Sequence, residues 1–210
     1  MLSDLDQSLV SVPEESRIRT LVASGLEMYH TGKYDDAART LREAVDLARL
    51  HLDPSNALRS DALAYLADAL VQLEEYPEAI QLCHEALAAT RNRGPAEAAV
   101  IAHTLSVLGS AYFFSGDLGA AAAPMREALQ LKERNFGMHH AVTAQAINDL
   151  AVLLYQTGRY DEALSLYQQA LPIYREVFGA EHPEVATIIK DRCLFGFHCE
   201  VKPVNEGRQA

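Results

Sequence analysis

The chain contains no tryptophan, three cysteines in 210 residues, and 18 basic residues against 29 acidic ones. Each shortage excludes something. Three cysteines, an odd number, do not make a disulfide framework and suit a reducing, cytoplasmic setting. The formal charge of −11, with Lys and Arg scattered, excludes the basic stripe that nucleic-acid binding needs. Arg91-Asn92-Arg93 is the densest basic spot and reads as a solvated loop. No apolar run reaches the roughly 18 residues of a membrane-spanning helix. Met1-Leu2-Ser3-Asp4-Leu5-Asp6 is acidic and lacks the basic start and apolar core of a signal peptide. Missing too are a Ser/His/Asp set, a phosphate-cradling glycine loop and a dinucleotide fingerprint. The expectation is a chain that is not an enzyme, with no cofactor, no metal, and neither nucleic acid nor membrane as partner.

What the chain does contain is a period. Ala37, Ala79, Ala121 and Ala163 fall 42 residues apart. Ala44, Ala86, Ala128 and Ala170 keep the same step, as do Gly25, Ala67, Gly109 and Ala151. So do Tyr34, Tyr76, Leu118 and Tyr160. Gly32, Glu74, Gly116 and Gly158 form a fifth column in which Glu74 breaks the glycine rule. A fixed period in this range means stacked supersecondary units.

Each unit reads as two amphipathic helices joined by a tight turn. Ile147, Leu150, Ala151 and Leu154 share one helical face, and Gly158 is free to adopt the positive φ that a helix C-cap wants. Tyr160, Ala163, Tyr167, Ala170 and Leu171 then resume helical spacing, with Tyr34 or Tyr160 plugging the turn. The small column (Gly25, Ala67, Gly109, Ala151) is expected to face the alanine column (Ala37, Ala79, Ala121, Ala163) of the partner helix. A large side chain there would overpack the contact and cost roughly 1–3 kcal/mol.

Small–x–x–aromatic on a first helix, Gly–x–Tyr–x–x–Ala into a second, and a closing Ala-Leu resemble the tetratricopeptide repeat (TPR). A 42-residue period, longer than the usual ~34, resembles the kinesin-light-chain-like subclass. The loop Phe178-Gly179-Ala180-Glu181-His182-Pro183-Glu184-Val185-Ala186 is similar to that subclass's inter-repeat loop, and Phe136-Gly137-Met138-His139-His140-Ala141 is a looser copy. The resemblance implies an all-α fold, a right-handed α-solenoid of about four and a half helix-turn-helix repeats, forming one elongated domain. Pro124 and Pro172 fall inside second helices and should kink them.

The expected organisation is an N-terminal cap or short helix over 1–12, a repeat array over 13–190 and a tail over 198–210. Repeats occupy 13–54, 55–95, 96–137 and 138–180, with a partial fifth over 181–197. First helices are expected near 13–31, 55–73, 96–114 and 139–156, and second helices near 34–50, 76–91, 118–134 and 160–176. Ser11 and Glu14 resemble a capping box.

The period also sorts residues that look like chemistry. His139-His140 invites a metal, but His140 lies 42 residues before His182 and reads as a loop histidine that starts a helix. Asp35-Asp36 and Asp161-Glu162 resemble paired carboxylates. Both sit where a second helix begins and negative charge meets the positive end of the helix dipole. Cys83 shares a core column with Leu41, Met125 and Tyr167. Cys193, His198 and Cys199 escape the period and match no zinc spacing.

The resemblance implies that first helices line the inner, concave surface where partners bind. By repeat position that surface carries Arg19, Val22, Ala23, Leu26, Tyr29 and His30, then Asp61, Ala64, Tyr65, Asp68, Val71 and Gln72. The third and fourth repeats add His103, Ser106, Val107, Ser110, Phe113 and Phe114, then Gln145, Asn148, Asp149, Val152, Tyr155 and Gln156. Tyr29, Tyr65, Phe114 and Tyr155 are the expected anchors. Arg19, Asp68, His103, Phe113, Asn148 and Asp149 complete the expected peptide groove, with Asp61, Asp68 and Asp149 favouring a partner with positive charge. Val22 and Ala23 stand where relatives that clamp a chaperone C-terminus carry cations, which argues against that use. The leading expectation is a non-catalytic adaptor or scaffold for a protein or peptide partner. Self-assembly through residues 191–210, or a peptide-sensing role within a larger signalling system, are the alternatives.

Overall fold

The computed structural model describes residues 12–90, 97–179, 181 and 185. Eight helices follow one another: α1 (Val12–His30), α2 (Tyr34–His51), α3 (Ala57–Gln72), α4 (Tyr76–Thr90), α5 (Ala98–Phe114), α6 (Leu118–Phe136), α7 (Ala141–Gln156) and α8 (Tyr160–Phe178). No strand occurs among the described residues. Each helix lies within two residues of its expected bounds, and the shifts have local causes. The side chains of Asn56 and His140 cap α3 and α7 by accepting from the N–H of Leu58 and Val142, so these helices start later than expected. Helices α6 and α8 run on until Gly137 and Gly179, which take φ of +85° and +89°. Both continue through their prolines.

The turn within each repeat has one geometry. Gly32, Gly116 and Gly158 take φ of +76°, +89° and +77°, and Glu74 takes +62°. Around Gly32 the N–H of Lys33 donates to the carbonyl of Met28 and that of Gly32 to Tyr29. The same crossed pair recurs at Glu74–Glu75 and at Gly158–Arg159. This closure satisfies carbonyls that the end of the helix would otherwise leave open. The conformation belongs to the turn, since it forms even where a side chain makes it costly.

Paired helices pack through the small columns. Ala37, Ala79, Ala121 and Ala163 are fully buried, and so are Gly25, Ala67, Gly109 and Ala151. The expected partner of the small column is corrected by one turn. A Cβ on Gly25 would lie 2.6 Å from Leu41 Cγ, and one on Gly109 would lie 2.5 Å from Met125 Cγ. These are members of the core column Leu41, Cys83, Met125 and Tyr167, not of the alanine column. The antiparallel helices are staggered, so the small residue receives the next large side chain along. The second repeat has Ala67 and carries the smaller Cys83 at that place.

Buried hydroxyls are satisfied within their own helices. Thr104 donates to the carbonyl of Val100 at 2.8 Å and Thr90 to that of Ala86 at 3.1 Å. The chain divides into two compact units, residues 1–137 and 138–210, with α1–α6 in the first and α7–α8 in the second. In the first unit α1 packs on α3 and α3 on α5, so its three first helices lie side by side.

Several expectations concern residues outside the described set: Ser11 of the capping box, Arg91 to Arg93, His182, and residues 191–210 with Cys193, His198 and Cys199.

Candidate functional site

The first-helix face of the first unit is built on α1, α3 and α5. Helix α3 is in the middle and presents Asp61, Tyr65 and Asp68 at i, i+4 and i+7, one stripe along the helix. From α1, the Tyr29 hydroxyl donates to Asp68 Oδ1 at 3.0 Å. From α5, His103 Nε2 lies 3.5 Å from Asp68 Oδ2. That nitrogen is sealed from solvent and has no hydrogen-bond partner, although the His103 side chain is 36% exposed. The Tyr65 ring lies 5.3 Å from the His103 ring, centroid to centroid. Asp68 therefore joins three helices from three repeats.

Burial controls the charge states here. It raises the Asp68 carboxyl above its ordinary range, while His103, Tyr29, His30 and Lys132 act in the opposite direction. Burial lowers His103, and Asp68 opposes that shift while Lys132 adds to it. The Tyr29 hydroxyl is raised by burial and then by Asp68. Tyr65 is raised by burial, with Asp61 and Asp68 adding to it. Asp61 is raised by burial and by Glu97, with Arg19 opposing. Near neutral pH, lowering keeps the His103 imidazole neutral beside the Asp68 carboxyl.

The remaining candidate residues occupy different surroundings. Arg19 is exposed and bonds Glu15 on its own helix at 2.9 Å. Phe113 and Phe114 meet edge-to-face at 5.3 Å, and Phe114, 58% exposed, stacks over Tyr76 at 6.3 Å. Val22, Ala64, Val71 and Val107, expected on the open face, are buried. Val22, Val71 and Val107 belong to the hydrophobic core of the first unit. In the second unit, Gln145 donates to Asp149 Oδ1 at 2.8 Å and accepts from the Tyr174 hydroxyl at 2.9 Å. Asn148 Oδ1 is buried without a hydrogen-bond partner, and Tyr155 lies 5.4 Å from Tyr160. Tyr29 and Tyr34 repeat that last arrangement in the first unit, also at 5.4 Å.

Residues read as structural take local roles. His140 caps α7, His139 Nδ1 lies 3.1 Å from Glu176 Oε2, and Asp35, Asp36, Asp161 and Glu162 occupy first turns. Cys83 is buried and its thiol is pushed up to about 12, chiefly by burial. No group of three or more His, Cys, Asp or Glu is placed to hold a metal among the described residues.

One feature absent from the sequence reading lies on the second helices. Arg42 and Arg49 of α2 each take a carboxylate of α4 with two hydrogen bonds, Glu78 and Glu85 respectively. Arg59 also reaches Glu85 at 3.0 Å, as Arg17 reaches Glu43 at 2.6 Å. The Arg42–Glu78 and Arg49–Glu85 pairs line a cleft of about 340 Å³. The period was the available signal, because Arg17 and Arg59, like Glu43 and Glu85, are 42 residues apart.

Two tetratricopeptide-repeat family models match the chain, over residues 58–134 and 143–184, together more than half of it. The chain belongs to the tetratricopeptide-repeat family. Among solved structures, this TPR chain is similar to a putative kinesin light chain from Podosopora anserina with nearly identical TPR-like repeats. The TM-score is 0.71 at 19% identity, covering 85% of this chain and 84% of that one. It is also similar to BtubC (BKLC) from P. vanneervenii, with TM-score 0.65 and 20% identity over 85% of this chain and 81% of that one. A third likeness is to the apo form of RapI, with TM-score 0.65 and 11% identity over 85% of this chain and 47% of that one. Identities this low establish the shared α-solenoid fold, with kinesin-light-chain-like repeats among its neighbours. No curated protein sequence matches the TPR chain. No helix among the described residues is long and apolar enough to cross a membrane.

Proposed function

We propose that this TPR chain is a non-catalytic adaptor that holds a peptide or protein segment against its first helices, in the cytoplasm. TPR folds serve protein–protein association, which supports the class. The observation that carries the reading is the Tyr65–His103–Asp68–Tyr29 assembly on α1, α3 and α5. It groups partly exposed aromatic and charged side chains from three first helices, and Tyr29 and Tyr65 pack against the core with one side only. Half-buried Tyr29 and Tyr65, and exposed Phe114 with its neighbour Phe113, offer anchor surface at low entropic cost. In the second unit Asn148, Asp149 and Tyr155 are proposed to serve on the first helix of that unit, α7.

The test pairs Tyr65→Ala with Phe114→Ala. Affinity capture from native extract, with partners identified by mass, should recover a partner on the wild type and lose it on the double variant. Helix content and melting of the variant are followed in parallel. A partner held equally by a folded double variant would refute the binding face.

A further inference from the structure

The α3 stripe has unfilled acceptor capacity, and this is where the proposed binding face becomes specific. Asp61 is partly buried and forms no hydrogen bond or ion pair among the described residues. The cation that acts on it, Arg19, is bonded to Glu15, and the other charged group acting on it is Glu97, of like sign. A carboxylate withdrawn from water without a partner is a cost that a bound cation would relieve.

Two turns along, Asp68 is only partly satisfied. One oxygen accepts from Tyr29. The other faces a buried histidine nitrogen at 3.5 Å that completes no hydrogen bond. His30 and Lys132 also act on Asp68, and burial still prevails over them. Tyr65 lies between the two carboxylates and offers a ring on which a guanidinium can stack while bonding to a carboxylate.

Spacing limits what can occupy the stripe. Asp61 and Asp68 are seven residues apart on α3, a rise of about 10.5 Å. A segment in polyproline-II conformation has three residues per turn and about 3.1 Å per residue, so positions i and i+3 share an edge roughly 9.3 Å apart. We infer that the Asp61–Tyr65–Asp68 stripe docks an extended partner segment carrying two basic side chains three residues apart, one on each carboxylate. The net charge of −11 adds long-range attraction for such a segment. This inference rests on the first-helix face being the binding surface.

The probes are synthetic Arg-x-x-Arg peptides on a Pro/Ser background, with Gln-x-x-Gln, Arg-x-Arg and a helical Arg-x6-Arg peptide alongside, measured by fluorescence anisotropy. Arg-x-x-Arg should bind best and lose affinity as salt rises. Asp61→Asn and Asp68→Asn should each weaken it about tenfold or more. Asp36→Asn, on the second helix of the first repeat, should leave it unchanged. Equal binding of Gln-x-x-Gln, indifference to both Asn variants, or preference for another spacing would overturn the inference. The two readings fail differently. A captured partner lost by Tyr65→Ala/Phe114→Ala but kept by Asp61→Asn/Asp68→Asn leaves the binding face and removes the basic pair. A partner indifferent to both sets removes both.

Discussion

The hydroxyl of Tyr29 donates to the carboxylate of Asp68 across 39 residues of sequence, tying the first helix of one repeat to the first helix of the next. Each is partly buried, so the bond is partly shielded from water. Tyr29→Phe keeps the ring contact with Tyr34 and removes the hydroxyl, with its bond to Asp68 and its contact with the Gln72 side chain. A hydrogen bond to a charged, half-buried acceptor contributes about 1–2 kcal/mol. Urea unfolding should show a loss of that size, smaller once Asp68→Asn is also present.

The third member of that group sets a pH dependence. Burial lowers His103 from 6.5 in the folded state, so the unfolded chain takes up its proton first as pH falls. His103 therefore contributes stability that is complete above about pH 6.5 and is lost as pH falls through the lowered folded value. Asp68 has the opposite sign, since its raised carboxyl gains a proton in the folded state before the unfolded one. Its contribution grows as pH falls through its folded value toward 3.8. Wild-type stability should decline between neutral pH and the mildly acid range, and His103→Gln should flatten that decline in denaturant titrations.

Gly25 and Gly109 are both closed to a side chain. A Cβ at Gly25 meets Leu41 Cγ at 2.6 Å and Cδ2 at 2.8 Å, and at Gly109 it meets Met125 Cγ at 2.5 Å, each Cγ one bond from its own Cβ and unable to swing clear. Alanine gains about 1 kcal/mol of helix propensity against an overpacking cost of about 1–3 kcal/mol. Gly25→Ala and Gly109→Ala should both be net destabilising. Gly25→Ala with Leu41→Cys reproduces the second repeat's pairing and should recover part of the loss in thermal melts.

Glu74 holds φ of +62° at a place where the other repeats have glycine. Left-handed backbone costs a side-chain-bearing residue roughly 1–2 kcal/mol, partly offset by glycine's larger unfolded entropy. Glu74→Gly should stabilise the chain by about 0.5–1 kcal/mol, and Glu74→Val should destabilise it. Chemical denaturation of the two variants side by side checks both signs.

Much of the fold was legible in the primary structure because it depends on neighbours three and four residues apart. The helices and the positive-φ turns follow from local spacing and are repeated four times, and the capping role of His140 is local as well. The candidate site was legible only in outline. Tyr65, Asp68 and His103 could be assigned to first helices by period. Whether Val22 or Val107 faced the seam or the open surface depended on how far each first helix rotates against the next. A single sequence carries no local mark of that rotation.

The 42-residue period by itself determined the repeat, the small columns and the demotion of paired histidines and carboxylates to structural roles. Tertiary structure decided which large residue fills the space above Gly25, that Glu85 joins Arg49 and Arg59, and that Asp68 collects Tyr29 and His103. The physical reason is distance along the chain. Local hydrogen bonds specify each helix on its own, whereas stagger and rotation between helices arise only when side chains from different repeats compete for one space.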